Sequence, residues 1–269
     1  MIETREVNYA YRRGEPVLND INCKIANGEF IALLGHNGSG KTTLSRLFMA
    51  LVHPRSGAVY VDDENIEKLE PADLADRVGY VFQNPDLQIL ADTVWEEVAY
   101  GPRNKQLAES DLNQQVEEAL QAMGLSDFAD VYPRTLSFGQ KRRLGVAAAL
   151  ALNPRILILD EITNGQDSLE KIQMMNYLRV LNEEKGITII LITHDMNIAR
   201  LYAKRVLVLH NGNLVFDDRP DTLFDGKRDL NQWGLTQPTM AELGAALGIT
   251  ALTPAEFCQQ VVVKGGETK

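Results

Sequence analysis

Gly35-His36-Asn37-Gly38-Ser39-Gly40-Lys41-Thr42-Thr43 decides how the rest of the chain is read. Four residues lie between Gly35 and Gly40, and Lys41 and the hydroxyl residue Thr42 follow, the pattern of a phosphate-binding loop. Ahead of it the apolar run Phe30-Ile31-Ala32-Leu33-Leu34 reads as a buried strand, and behind it Leu44 to Leu51 carry apolar residues at helical spacing. The glycines let successive backbone N–H groups turn inward around phosphate oxygens, and the helix N-terminus adds partial positive charge. Lys41 is placed to reach the outer phosphates and the Thr42 hydroxyl to complete the coordination of Mg²⁺. The stretch predicts nucleotide binding.

Working outward, 269 residues suffice for one large core, and a 45% hydrophobic content comes without any run of the ~20 apolar residues needed to span a bilayer. The opening Met1-Ile2-Glu3-Thr4-Arg5-Glu6 lacks a signal peptide's apolar stretch. A net charge of −10 argues against a general nucleic-acid binder. Cys23 and Cys258 are far apart and show no metal-ligand spacing, which fits a reducing cytoplasm. No internal repeat or low-complexity segment is visible.

Glu3–Tyr11 and Ile21–Ile25 read as strands of a small antiparallel sheet on either side of Arg12-Arg13-Gly14-Glu15-Pro16. Spacing alone favours Tyr11 as a half-buried strand aromatic over a platform for a nucleotide base. Ala58–Val61 reads as another strand, Leu74–Arg77 as a short helix, and Val78–Phe82 as a strand ending at Gln83. Residues 92 to about 130 read as helical, with Asp92 or Thr93 capping one helix, Asp111 a second, and the acidic residues forming a solvated face. Ser137 is an N-cap for a helix that runs to Leu152, and Lys141, Arg142 and Arg143 read most simply as an exposed basic turn.

Arg155-Ile156-Leu157-Ile158-Leu159-Asp160-Glu161 puts two carboxylates at the end of four consecutive aliphatics, the profile of a strand buried in a parallel sheet. Unpaired charge there is costly to bury. Beside a phosphate loop Asp160 can hold Mg²⁺ through its water shell, and Glu161 can take a proton from an attacking water. After a helix over Ser168–Glu184, the run Ile187–Ile192 ends in Thr193-His194-Asp195, a polar cluster placed like Gln83 and Asp160. Arg205–Leu209 and Asn213–Phe216 flank Asn211-Gly212 as a hairpin. From about Gly226 the texture changes to a small helical appendage, with Ala241–Leu247 and Pro254–Val263 as segments and residues 264–269 as a frayed end.

Taken in order, the phosphate loop, Gln83, Leu136-Ser137-Phe138-Gly139-Gln140, Asp160-Glu161 and His194 resemble the motif series of an ABC-type ATPase cassette. Asp160 follows Ser137 by 23 residues (137 to 160), and His194 follows Glu161 by 33 (161 to 194). The resemblance covers residues 1 to about 225 and implies an α/β fold. Its parts are a phosphate-loop NTPase core with a mixed, mostly parallel sheet, an antiparallel β subdomain and a helical subdomain over about 84–152. The C-terminal appendage, 226–269, is expected to serve dimerisation. Val81–Gln88 together with Ala99-Tyr100-Gly101-Pro102-Arg103-Asn104, and Gly234–Pro238, resemble more narrowly the ATP-binding subunits of energy-coupling factor transporters, which import cobalt and vitamins. That resemblance implies ATP and Mg²⁺, a second ATPase subunit, either a non-identical paralogue in a heterodimer or a second copy in a homodimer, a membrane scaffold (T) subunit and a substrate-binding membrane (S) subunit. It also implies a peripheral place on the cytoplasmic face of the cell membrane, with no nucleic-acid partner.

Residue by residue, the resemblance implies that Tyr11 stacks on adenine and that the loop from Gly35 through Thr43 cradles the phosphates. Thr42 and Gln83 ligate Mg²⁺ with Asp160 behind them, and Gln83 senses the γ-phosphate. Glu161 polarises the water and His194 bridges it to the γ-phosphate, with Lys41 completing the catalytic set. Ser137, Gly139 and Gln140 bind the nucleotide held by the opposite subunit, and the loop from Asn84 to about Trp95 meets the membrane partner. Three positions depart from the pattern: Phe138 stands for a glycine, Ile162 for a proline and Gln166 for a leucine. The Phe138 change bears on the partner's site and suggests a heterodimer with unequal sites. A soluble ABC ATPase acting on DNA or ribosomes is the rival reading. The DNA-repair relatives carry a long coiled coil before the signature, where Leu136 follows Thr43 by only 93 residues here, and ribosomal relatives carry two cassettes. A regulatory subunit with little turnover is a further rival, and intact Lys41, Glu161 and His194 argue against it.

Overall fold

The computed structural model describes residues 1–12 and 14–247. The segment 254–263, the end 264–269 and Cys258 therefore lie outside the described residues.

Two sheets share one buried layer. The first is antiparallel, with strand order β2-β1-β4-β5, built from β1 (Ile2–Ala10), β2 (Pro16–Ile25), β4 (Ser56–Val61) and β5 (Glu64–Asn65). The second has the order β10-β9-β3-β8-β7-β6 and comprises β3 (Phe30–Leu34), β6 (Val78–Val81), β7 (Ile156–Asp160), β8 (Thr188–Ile192), β9 (Arg205–His210) and β10 (Asn213–Asp218). Its first five neighbours in chain order run parallel, and β10 closes the edge antiparallel to β9 through the turn Asn211-Gly212, both residues at positive φ. The expected mixed sheet and antiparallel subdomain are both present.

Strand alternation explains how the core is divided. Ile31, Leu33, Ile156, Ile158, Ile190 and Ile192 face the antiparallel sheet and helix α1 (Lys41–Phe48), packing on Ile2, Leu18, Ile21 and Leu47. Their neighbours Leu157, Leu159, Ile189 and Leu191 face the other way, toward helices. Strands covered on both faces need apolar residues at every position, which is why these runs do not alternate in sequence.

The helices in chain order are α2 (Pro71–Leu74), α3 (Val94–Asn104), α4 (Glu109–Ala122), α5 (Phe138–Leu150), α6 (Ser168–Lys185), α7 (Met196–Tyr202), α8 (Pro220–Leu223) and α9 (Thr239–Leu247). α3, α4 and α5 pack on one another beside β6. Several sequence expectations shift here. The short helix precedes its expected place at 74–77 because Pro71 sits in its first turn and Glu70 and Asp73 form a capping box. α4 starts at Glu109, so Asp111 lies in its first turn and caps nothing. α3 runs past Tyr100 and contains Pro102, and Thr93 caps its start by accepting from Glu96 N. α5 stops at Leu150, short of Leu152.

The change of texture at 226 is not a break in packing. Leu230 and Leu235 are buried in the same cluster as Ala32, Leu34, Val206 and Val208, so residues up to 235 cover the sheet beside β3 and β9.

Candidate functional site

Four parallel strands deliver their next residues to one edge of the large sheet. β3 leads into the phosphate loop, β6 into Gln83, β7 ends on Asp160 with Glu161 following, and β8 leads to His194. A polar site at the carboxyl ends of parallel strands is the place such sheets reserve for ligands. Here an open cleft of about 570 Å³ is lined by Tyr11, Asn37, Gly38, Gly40, Lys41, Thr42, Thr43, Gln83, Asp160 and Glu161.

The loop's shape depends on its glycines. Gly35, Gly38 and Gly40 all have positive φ, and a methyl group on Gly40 would lie 2.7 Å from Leu18 Cδ2. A side chain at Gly35 would run into the Leu209 carbonyl. The loop is pinned by Ser39 N donating to His36 O at 3.2 Å and by Gly212 N donating to Ser39 O at 3.1 Å. The His36 ring packs edge-on against His210, 5.1 Å between centroids, and its Cβ lies against the backbone of Gly234. Lys41 Nζ donates to the Gly35 and His36 carbonyls at 2.8 and 3.0 Å. Burial pulls its ammonium below the ordinary lysine value, and the negative charges of Glu161 and Asp160 act against that pull.

Asp160 is buried, which pushes its carboxyl above the usual carboxylate range, while the Tyr80 hydroxyl donates to Oδ2 at 2.8 Å and holds it down. Burial, with the charge of Asp160, raises the phenol of Tyr80 well above its ordinary value. Glu161 sits at φ 50 and is gripped by amides. Gln83 Nε2 donates to its Oε2 at 2.8 Å, Asn164 Nδ2 to the same oxygen at 2.6 Å, and its backbone N–H donates to Ile192 O. The exposed His194 brings Nδ1 to 3.7 Å from Glu161 Oε1. Tyr11 is 50% exposed at the cleft mouth, its hydroxyl 3.3 Å from Thr43 Oγ1 and accepting from Arg46 at 3.2 Å.

Ser137, Gly139 and Gln140 are not among the residues lining this cleft. They form the start of α5, where Ser137 Oγ accepts from Gln140 N and Gln140 Oε1 from Ser137 N, a capping box. Gly139 is pressed on Glu170, so a methyl there would lie 2.5 Å from Oε1.

The basic residues of α5 are not the exposed turn expected from sequence. Arg142 is 2% exposed, donates to the Ile162 carbonyl and places its guanidinium 4.4 Å from the centre of the Phe138 ring. Burial pushes its pKa down to about 10, against the charge of Glu170. Lys141 pairs with Asp86 at 2.9 Å, and Arg143 donates to Met123 O. Glu97, expected on a solvated face, is buried and accepts from Leu90 N and Ala91 N at 2.8 Å each, fixing the loop after Gln83. Tyr80 and Asn164 touch the two carboxylates and escaped the sequence reading.

Comparison with known proteins places the chain. Residues 18–164 match the family described as ABC transporter. The chain belongs to the ABC transporter family. The cassette is similar to the energy-coupling factor transporter ATP-binding protein EcfA1 of Caldanaerobacter subterraneus, 40% identical over 252 residues that cover 92% of this chain and 91% of the relative. It spans 96% of itself but only 45% of the length of another relative from that organism, 41% identical and named for ABC transporter ATP binding. Among solved structures, cbiO1 of Clostridium perfringens, described as part of the ABC transporter complex cbiONQ, superposes with a TM-score of 0.80 at 34% identity, covering 92% of this chain and 98% of that one. A dimeric ATP-binding cassette, MJ0796, bound to ADP and Pi, gives 0.74 at 32% identity, covering 82% and 99%. ABC cassettes are ATPases.

Proposed function

We propose that this cassette binds and hydrolyses ATP as a subunit of an energy-coupling factor importer, at the cytoplasmic face of the membrane, and drives uptake of a vitamin or metal ion. The observation that carries the reading is the gathering of Lys41, Gln83, Asp160 and Glu161 around one cleft, in a chain 40% identical to EcfA1 across nearly its whole length.

Tyr11 stands where a purine can lie on it, and the loop N–H groups and Lys41 meet the phosphates. Lys41 must then exchange the loop carbonyls for phosphate oxygens. Glu161 accepts a proton from the water that attacks the γ-phosphorus as the bond to the ADP oxygen breaks. His194, 3.7 Å from that carboxylate, lies beside the same water. Thr42 offers a hydroxyl, Gln83 an amide oxygen and Asp160 a carboxylate, an all-oxygen set on one cleft that suits a hard divalent cation. Mg²⁺ bound there neutralises charge on the β- and γ-phosphates.

Because Ser137, Gly139 and Gln140 lie away from the chain's own cleft, they serve a nucleotide held by a second cassette, a non-identical paralogue. Phe138 is 43% exposed beside them and crowds that second nucleotide, which makes the two sites unequal. Changing each subunit's catalytic Glu in turn tests this: unequal losses of hydrolysis support it, and equal losses remove it.

The T subunit docks on the loop after Gln83. Leu87 and Leu90 are 78% and 71% exposed, and Phe82, Leu90, Tyr100, Ala148 and Leu152 line a mainly apolar groove of about 270 Å³ beside them. The deciding experiment is affinity purification of the tagged protein from gently solubilised membranes. A second cassette, a helical scaffold and a small membrane protein are expected to co-purify, and Leu90→Asp is expected to lose the membrane chains while keeping the second cassette. Recovery alone, or with ribosomal or DNA-repair proteins, overturns the importer reading and leaves the ATPase standing.

A further inference from the structure

Thr42 and Asp160 reach the cleft from different elements, one at the start of α1 and the other at the end of β7. Two buried hydroxyls lie beneath them. Tyr80, on the edge strand β6, donates its hydroxyl to Asp160 Oδ2 at 2.8 Å and lies 3.4 Å from Ser45 Oγ. Ser45 Oγ in turn donates to the Thr42 carbonyl at 3.0 Å. Each hydroxyl spends its single proton on one of these bonds, so Tyr80 and Ser45 only touch beneath the cleft, and the bond that reaches a cleft donor is that of Tyr80 to Asp160.

We propose that Tyr80 is a positioning residue for the divalent cation: its phenol fixes the orientation of the Asp160 carboxylate. This rests on the reading of Thr42 and Asp160 as cation-holding residues. The choice of group is physically pointed. A phenol gives a buried carboxylate oxygen its hydrogen bond without bringing a positive charge, so the carboxylate keeps its full charge for the ion. An arginine or lysine in the same place would neutralise it. With Oδ2 committed to the phenol, the carboxylate has one orientation, and a pre-set ligand does not lose rotational freedom again when the ion arrives.

Tyr80→Phe keeps the ring in its packing and deletes only the donor. The test measures Mn²⁺ binding by loss of the free-ion paramagnetic resonance signal, in the presence of a saturating non-hydrolysable ATP analogue. Binding of the same analogue in EDTA is measured alongside. The expected result for Tyr80→Phe is a fivefold or greater rise in the Mn²⁺ half-saturation, with affinity in EDTA within twofold of the natural protein. An unchanged Mn²⁺ half-saturation in Tyr80→Phe overturns the proposal. An equal loss with and without metal also overturns it, since that is a structural effect. If the natural protein binds no Mn²⁺ with the analogue, the reading of Thr42 and Asp160 falls first, and the role of Tyr80 with it.

Discussion

Gln83 and Glu161 meet side chain to side chain, with the amide nitrogen donating to Oε2 at 2.8 Å across the ends of two neighbouring strands. The glutamate is therefore oriented by the residue that opens the loop leading to the apolar groove. Any shift of that loop reaches the carboxylate through one hydrogen bond.

Glu161→Gln is expected to lower kcat by ~10²–10⁴-fold, the range for removing a general base, with nucleotide affinity within about threefold of the natural protein. Gln83→Ala leaves the carboxylate held by Asn164 alone on Oε2, and about tenfold slower hydrolysis is expected. Phosphate release under single-turnover conditions, with a separate binding titration, checks both. Full activity in Glu161→Gln would assign the base elsewhere.

Gly40→Ala combines a φ of 107° with a contact at 2.7 Å to Leu18 Cδ2. A loss of about 1–3 kcal/mol in urea unfolding is expected, together with loss of nucleotide binding, because the residue opens α1 and shapes the loop. Retained affinity for a fluorescent nucleotide would show that the loop accepts a side chain there.

Arg142→Ala leaves the Ile162 carbonyl without its donor, opens a void and strips the cation from the Phe138 ring. A destabilisation of about 2–4 kcal/mol is expected from the unfolding midpoint. A change below about 0.5 kcal/mol would mean that the buried charge costs as much as its contacts return.

Cys23 gives stability a pH dependence of known sign. Burial raises its thiol above the ordinary 9.0, so the folded protein keeps a proton that the unfolded chain loses as pH rises. Stability from this group is complete below pH 9.0 and falls above it, by up to ~1.4 kcal/mol per pH unit, until the folded thiol also ionises. Cys23→Ala removes the slope. Under reducing conditions its stability relative to the natural protein should rise between pH 8 and 10. A constant difference would show that the thiol titrates alike in both states.

The parallel strands, the phosphate loop and the strand-end carboxylates were legible because each rests on a local signal: an unbroken aliphatic run, a glycine spacing, a polar residue where such a run stops. Residues whose role depends on distant partners were not. Tyr80 lies inside an apolar strand and reads as core, and its bond to Asp160 spans 80 positions. Glu97 and Arg142 read as solvated helix charges, because a single sequence does not show that the loop of Leu90 and Ala91, or the carbonyl of Ile162, folds over them. Asn164 carries no signal in the sequence, and only the fold of the chain brings it back to Glu161. The displaced helix at Pro71–Leu74 does have a local signal, Pro71 with the Glu70 and Asp73 box.

The contact of Gly234 with His36, and the burial of Leu230 and Leu235 over Ala32 and Leu34, set a floor on how far the chain can be shortened. A version cut at 225, where the composition changes, would bare an aliphatic face of the central strands and take away the prop behind the phosphate loop. A version cut after Pro238 keeps both. Dissecting the tail from the ATPase therefore has to begin beyond that proline, and a deletion that starts earlier reports on the loop rather than on the tail.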